Sequence, residues 1–185
     1  MADSKRIEKL LDDNKIVLFI VSIKKYPSFA LSMIKHLNKK GWAGIYVGVV
    51  KPYADVAALF KKNGIDVEKI YFIDCISKSV AFDKMVETAR VSYLMPGDLT
   101  GLGIAVDEGI NHLTQESDKV FVFVDTLSTL LIYSSAQTLA KFSHFLTGRL
   151  RLKNLRGVIL TLEKEAEKSF LASISSFCDA VIEVN

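Results

Sequence analysis

Only two cysteines, Cys75 and Cys178, occur among the 185 residues, far apart and with no His or Cys at ligand spacing around either. A disulfide framework and a Cys-based zinc site are both excluded on that ground. The three histidines, His36, His112 and His144, stand on three separate stretches without the paired spacing of a metal site, so no metal is expected. Proline is scarce, and no stretch has the composition of a disordered or low-complexity segment. The longest apolar run, Ile16 to Val21, is too short to span a bilayer, and the polar start from Met1 to Asp13 lacks the pattern of a secretory leader. A cytoplasmic protein without a membrane segment is the expectation. The net charge of +3 is spread along the chain, so nucleic acid is possible as a partner but not indicated. No Gly-x-Ser-x-Gly elbow is present. The pair Gly101-Leu-Gly103 falls short of a dinucleotide loop, because Val106 stands at the third glycine position.

What is there is a regular alternation of apolar runs and amphipathic stretches. After a short amphipathic start (Ile7, Leu10, Leu11), residues 16–21 read as a strand covered on both faces. Ala30, Met33, Ile34 and Leu37 then share one face of a helix over 27–39 that Gly41 closes. Strand 43–49, helix 52–63 and strand 70–74 repeat the unit. Residues 75–98 predict a helix around 81–89, a short strand near 91–94 and a turn at Pro96-Gly97. Asp98 caps a helix that runs to Leu113. Strand 120–125, helix 137–153, strand 157–162, helix 166–176 and strand 180–184 complete the chain. Fully apolar strands joined by helices imply a three-layer α/β/α fold with a mostly parallel central sheet, in one domain over residues 1–185. Chemistry is then expected beyond the carboxyl ends of the strands.

One strand end is distinctive. Phe121-Val-Phe-Val-Asp-Thr-Leu-Ser-Thr-Leu-Leu131, with a following helix that carries Phe142-Ser-His-Phe-Leu146, closely resembles the Walker B strand and its sequel in RecA/KaiC-like ATPases. Gly41-Trp-Ala-Gly-Ile-Tyr-Val47, Leu155 to Leu162 and Cys178 to Val184 resemble the second and closing strands of that family. An archaeal KaiC-like or RadA-related domain is the relative this implies, with a RecA-like fold. In active members, the acid at Asp125 would hold a water on the Mg²⁺ that bridges the phosphates. The competing reading is that Asp125 faces solvent or caps the next turn.

The resemblance fails where phosphate would be gripped. A phosphate loop needs Gly-x-x-x-x-Gly-Lys-Ser/Thr, whose glycines let backbone N–H groups reach the phosphates. Here the junction reads Ser22-Ile-Lys-Lys-Tyr-Pro-Ser28; it has no glycine, and Gly-Lys occurs nowhere in the chain. Pro27 lacks an N–H, and Tyr26 fills space a triphosphate would need. The catalytic Glu implied by the family falls near Val49 or Val50, neither of which can activate water. Lys24, Lys25, Ser28 and Asp125 remain as remnant positions, with no catalytic residue, cofactor or metal expected.

These observations favour a non-catalytic domain that acts as a regulatory or scaffolding protein-interaction module, through a protein partner or self-association. Two alternatives stand beside it. One is a sensor that binds ATP or another phosphorylated ligand through Lys24, Lys25, Ser28 and Asp125. The other is a nucleic-acid-binding accessory protein that uses Arg149, Arg151, Lys153 and Arg156, residues that also suit a solvated helix terminus. Asp74 beside Cys75 could be imagined as a nucleophile pair, although a strand-end acid with a buried thiol is the commoner arrangement.

Overall fold

A computed structural model describes residues 9–80, 85–86, 88–163 and 168–185. Seven strands, β1 (Ile16–Val21), β2 (Ala43–Gly48), β3 (Ile70–Asp74), β4 (Val91–Tyr93), β5 (Val120–Asp125), β6 (Arg156–Leu162) and β7 (Ala180–Val184), form one sheet. Every pairing is parallel, and the order is β4-β3-β2-β5-β6-β1-β7. The longer helices are α1 (Tyr26–Lys39), α2 (Tyr53–Lys62), α3 (Leu99–Leu113), α4 (Ala136–Leu152) and α5 (Lys168–Ser175), and one short helical turn, Ser77–Val80, follows β3.

Topology follows from the direction of each step across the sheet. Steps from β1 to β2 and from β2 to β3 run toward β4, and their helices α1 and α2 share one core with Phe19, Tyr46, Phe72 and Phe123. Steps from β4 to β5, β5 to β6 and β6 to β7 run the other way, and α3, α4 and α5 pack on the opposite face with Ile45, Val122 and Ile159. Reversing both direction and face keeps these five crossovers to one hand, as right-twisted strands require. Two apolar layers on one sheet explain why β1, β2, β3 and β5 are buried at every position. Gly41 and Gly64 close α1 and α2 at φ +80 and +70, a left-handed backbone that other residues adopt only with strain.

The expected elements differ from the observed ones in two places. Of the helix expected over 81–89, residues 81–84 and 87 lie outside the described residues. Met85, Val86, Thr88 and Ala89 are not helical. The Tyr93 hydroxyl instead holds the Val86 backbone, accepting from its N–H at 3.0 Å and donating to its carbonyl at 3.3 Å. Beyond β5, Leu127–Ile132 winds as a 3-10 helix that the apolar pattern alone does not distinguish from a turn. Ile7 and the first residues of the helix expected from 166 also lie outside the described residues. Leu11 of the opening segment is fully buried. Among the described residues, no helix is long and apolar enough to cross a membrane.

Candidate functional site

β2 and β5 are neighbours whose following helices leave toward opposite faces, which opens a crevice at their carboxyl ends. Gly48 and Asp125 face each other there. Asp125 is only 5% exposed, so it does not face solvent, and no hydrogen bond described for its carboxylate comes from the next turn, which corrects that expectation. Its Oδ2 accepts a hydrogen bond from the Tyr46 hydroxyl, and the Tyr26 hydroxyl lies near enough to the same carboxylate to favour its charged form. Oδ1 has no hydrogen-bond partner among the described residues. Burial pushes the Asp125 carboxyl above its ordinary range, against the pull of the two hydroxyls and of the Lys51 ammonium nearby. Burial, reinforced by the charge of Asp125, likewise holds the Tyr46 phenol well above its usual value.

Each partner is delivered by a different element. Tyr46 is aimed by its ring, which stacks on Phe123 at 6.0 Å and meets Phe60 edge-on at 5.3 Å. Tyr26 opens α1, and Pro27 sits beside it in the first turn. Lys51 follows β2 after Val49 and Val50. Tyr26, Pro27, Tyr46, Lys51 and Asp125 line a cavity of about 40 Å³, space for a few waters at most, since ~10–15 Å³ holds one.

The β1–α1 junction organises its own donors. The backbone N–H groups of Lys25 and Tyr26 both donate to the Ser22 carbonyl at 3.0 Å, and Pro27 has none to offer. These are the positions where a phosphate-binding loop turns its N–H groups outward. Lys24 and Lys25 are exposed, with the Lys25 ammonium on the Asn185 carbonyl, and the Ser28 hydroxyl donates to the Lys25 carbonyl at 3.0 Å. No hydrogen bond described for Lys25 or Ser28 leads to Asp125. Val49 is fully buried and donates its N–H to the Asp125 carbonyl at 2.8 Å, while Val50 is exposed. Neither carries an acid, and the charged group nearest the crevice from β2 is the cation of Lys51.

Asp74, at the end of β3, is a structural acid. It accepts from the Tyr53 N–H at 2.6 Å, from the Ile76 and Ser77 N–H groups at 2.8 and 2.9 Å, and from the Ser77 hydroxyl at 2.6 Å. Burial, with Asp74 adding to it, pushes the Cys75 thiol up to about 12, which leaves it protonated and inert. Among the described residues, no group of three His, Cys, Asp or Glu side chains could hold a metal ion. The basic cluster near the end of α4 is mostly paired within the molecule. Arg149 meets Asp107 at 2.6 Å, Arg151 meets Asp179 at 2.7 Å, and Arg156 lies 4.4 Å over the Trp42 ring beside Asp12.

Tyr46 and Lys51 are the site residues that the sequence reading misses. A tyrosine within a strand buried on both faces needs a partner for its hydroxyl, and that was the available signal.

The order of strands, the crevice and the acid at the end of β5 together define a RecA/KaiC-like fold. The KaiC-like protein PH0186 of Pyrococcus horikoshii superposes with a TM-score of 0.62 at 11% identity, over 91% of this chain and 70% of that one. The flagellar accessory protein FlaH of Methanocaldococcus jannaschii gives 0.62 at 13% identity, over 91% and 70% of the two chains. The uncharacterized protein PH0321 of P. horikoshii, solved in complex with an unknown peptide, gives 0.62 at 13%, over 92% and 77%. The chain belongs to DUF7504, a family of unknown function whose model matches residues 66–184. No curated protein matches it in sequence.

Proposed function

We propose that this chain is a single, cytoplasmic RecA-like domain with a degenerate phosphate loop, one that does not hydrolyse ATP and works as a regulatory or scaffolding module for protein interaction. The observation that carries the reading is that Tyr26 closes on Asp125, the two lining one small cavity, with the Tyr26 hydroxyl near enough to pull the carboxyl's pKa down. The family resemblance puts Tyr26 and Pro27 near the position of the phosphate-binding lysine, and Tyr26 lines the cavity of the acid that would otherwise serve Mg²⁺. Three further features point the same way. The junction's N–H groups are turned onto Ser22, the β2 end carries Val49, Val50 and Lys51 in place of a catalytic acid, and the cavity that remains is about 40 Å³. A rigid sheet without a working crevice still presents surfaces, and PH0321, of the same fold, was solved with a peptide bound. The internal ion pairs of Arg149, Arg151 and Arg156 weigh against a nucleic-acid role.

Calorimetric titration with Mg-ATP tests the reading. No saturable heat is expected. Saturable micromolar binding that Asp125→Ala abolishes would overturn it in favour of a nucleotide sensor.

A further inference from the structure

The turn after β2 folds back beside the crevice. Val49 donates its N–H to the Asp125 carbonyl at 2.8 Å, and the Lys51 carbonyl lies against Gly48, where a Cβ would stand 3.4 Å from it. Gly48 faces Asp125 across the sheet, so the Lys51 backbone is held close to the acid. Pro52 follows at once as the cap of α2, and the Tyr53 N–H next to it is fixed by Asp74 at 2.6 Å. From this anchored position the Lys51 side chain lines the same cavity as Asp125. Among the described residues its ammonium has no ion pair or hydrogen bond, and Oδ1 of Asp125 has no hydrogen-bond partner. An unpaired cation therefore stands beside a buried, unpartnered carboxylate oxygen.

A divalent ion does not fit here, although the family resemblance puts an acid that serves Mg²⁺ at this position. Tyr46 already occupies Oδ2, and no group of three His, Cys, Asp or Glu side chains stands among the described residues. Mg²⁺ demands an octahedron of oxygens and keeps several of its waters. The cavity of about 40 Å³ holds a few waters at most, at ~10–15 Å³ each. A lysine ammonium is a compact charge on a flexible stem and needs no such shell. We propose that Lys51 is the resident cation of this crevice, its ammonium turning onto the free Asp125 oxygen in the place a divalent ion would take. Burial still raises the Asp125 carboxyl with that cation nearby, so Lys51 offsets part of the cost of the buried charge and no more. The proposal rests on the reading that the crevice is closed to nucleotide, and it names the group that replaces the metal.

Three measurements on the whole chain test it. The ¹⁵N resonance of the Lys51 ammonium, assigned by its disappearance in Lys51→Met, should shift in Asp125→Asn. Lys51 is exposed, so its variants should fold. At mildly alkaline pH, Lys51→Met should lower the urea midpoint of the unaltered chain but not that of Asp125→Asn, and Lys51→Arg should keep most of the original value. Mn²⁺ added alone, as a paramagnetic probe, should broaden no backbone amide around Asp125. An unmoved Lys51 resonance, an equal loss of midpoint in both backgrounds, or Mn²⁺ broadening that Asp125→Asn removes would each overturn the proposal. Absence of coupling in a chain without ATP affinity would remove the role of Lys51 and leave the proposed function intact. Mg-ATP affinity in a chain that keeps the coupling would do the reverse.

Discussion

Asp74 and Asp125 both end buried strands, and their surroundings predict opposite responses to the same substitution. Asp74 receives four hydrogen bonds, so the amide of Asp74→Asn would point a donor at donors, and a loss of about 2–3 kcal/mol is expected. Asp125 accepts from the Tyr46 hydroxyl, has the Tyr26 hydroxyl nearby, and keeps one oxygen without a partner among the described residues. Its pKa is raised in the folded state, so the folded protein holds the proton more tightly than the unfolded chain. The contribution of the group is therefore complete below the ordinary value of 3.8 and is lost as pH rises through the raised one. Asn carries no charge at any pH and still accepts from Tyr46. Asp125→Asn should stabilise the protein at neutral pH, and the gain should fade as pH falls through the raised value and be gone below 3.8. Urea unfolding of both variants at neutral and acidic pH checks the pair; a destabilised Asp125→Asn at neutral pH would contradict this account of the crevice.

At the scale of the element, β2 is packed tightly against β5 at Gly44. Gly44 lies beneath the Phe121 ring of the adjacent strand, where a Cβ would stand 2.2 Å from Cζ, and Phe121 is itself fully buried. Gly44→Ala should cost about 1–3 kcal/mol by overpacking, measured as a lower urea midpoint with an unchanged m-value. Most elements were legible beforehand because burial on both faces leaves continuous runs such as 16–21 and 120–125, and one-sided burial leaves the spacing of Ala30, Met33, Ile34 and Leu37. Val86 was misread as helical because its backbone pairs with the hydroxyl of Tyr93, which local periodicity does not encode. The site divides in the same way. Asp125 and the glycine-free junction are local features and could be read directly. The tyrosine pair around Asp125 is assembled from the ends of β1, β2 and β5, and Lys51 joins it only because β2 and β5 are neighbours in the sheet.

At the scale of the whole molecule, the strand order interleaves early and late parts of the chain. β1 lies between β6 and β7, and β2 between β3 and β5. The family match begins at residue 66 and so leaves both of these strands out. Without them the remaining strands fall into three pieces: β4 with β3, β5 with β6, and β7 with no neighbour. Removing β1 and β2 also removes α1 and α2, so Phe72, Phe121, Phe123, Val158 and Leu160 would lose the layer that covers them. A fragment of residues 66–184 should therefore lack fixed tertiary structure, with weak near-ultraviolet circular dichroism and no cooperative thermal transition. The full chain should unfold in one transition whose calorimetric and van't Hoff enthalpies agree, because both apolar layers share a single sheet. A folded fragment, or two separate transitions in the full chain, would show that residues 66–184 form a unit of their own and would overturn the assignment of a single domain.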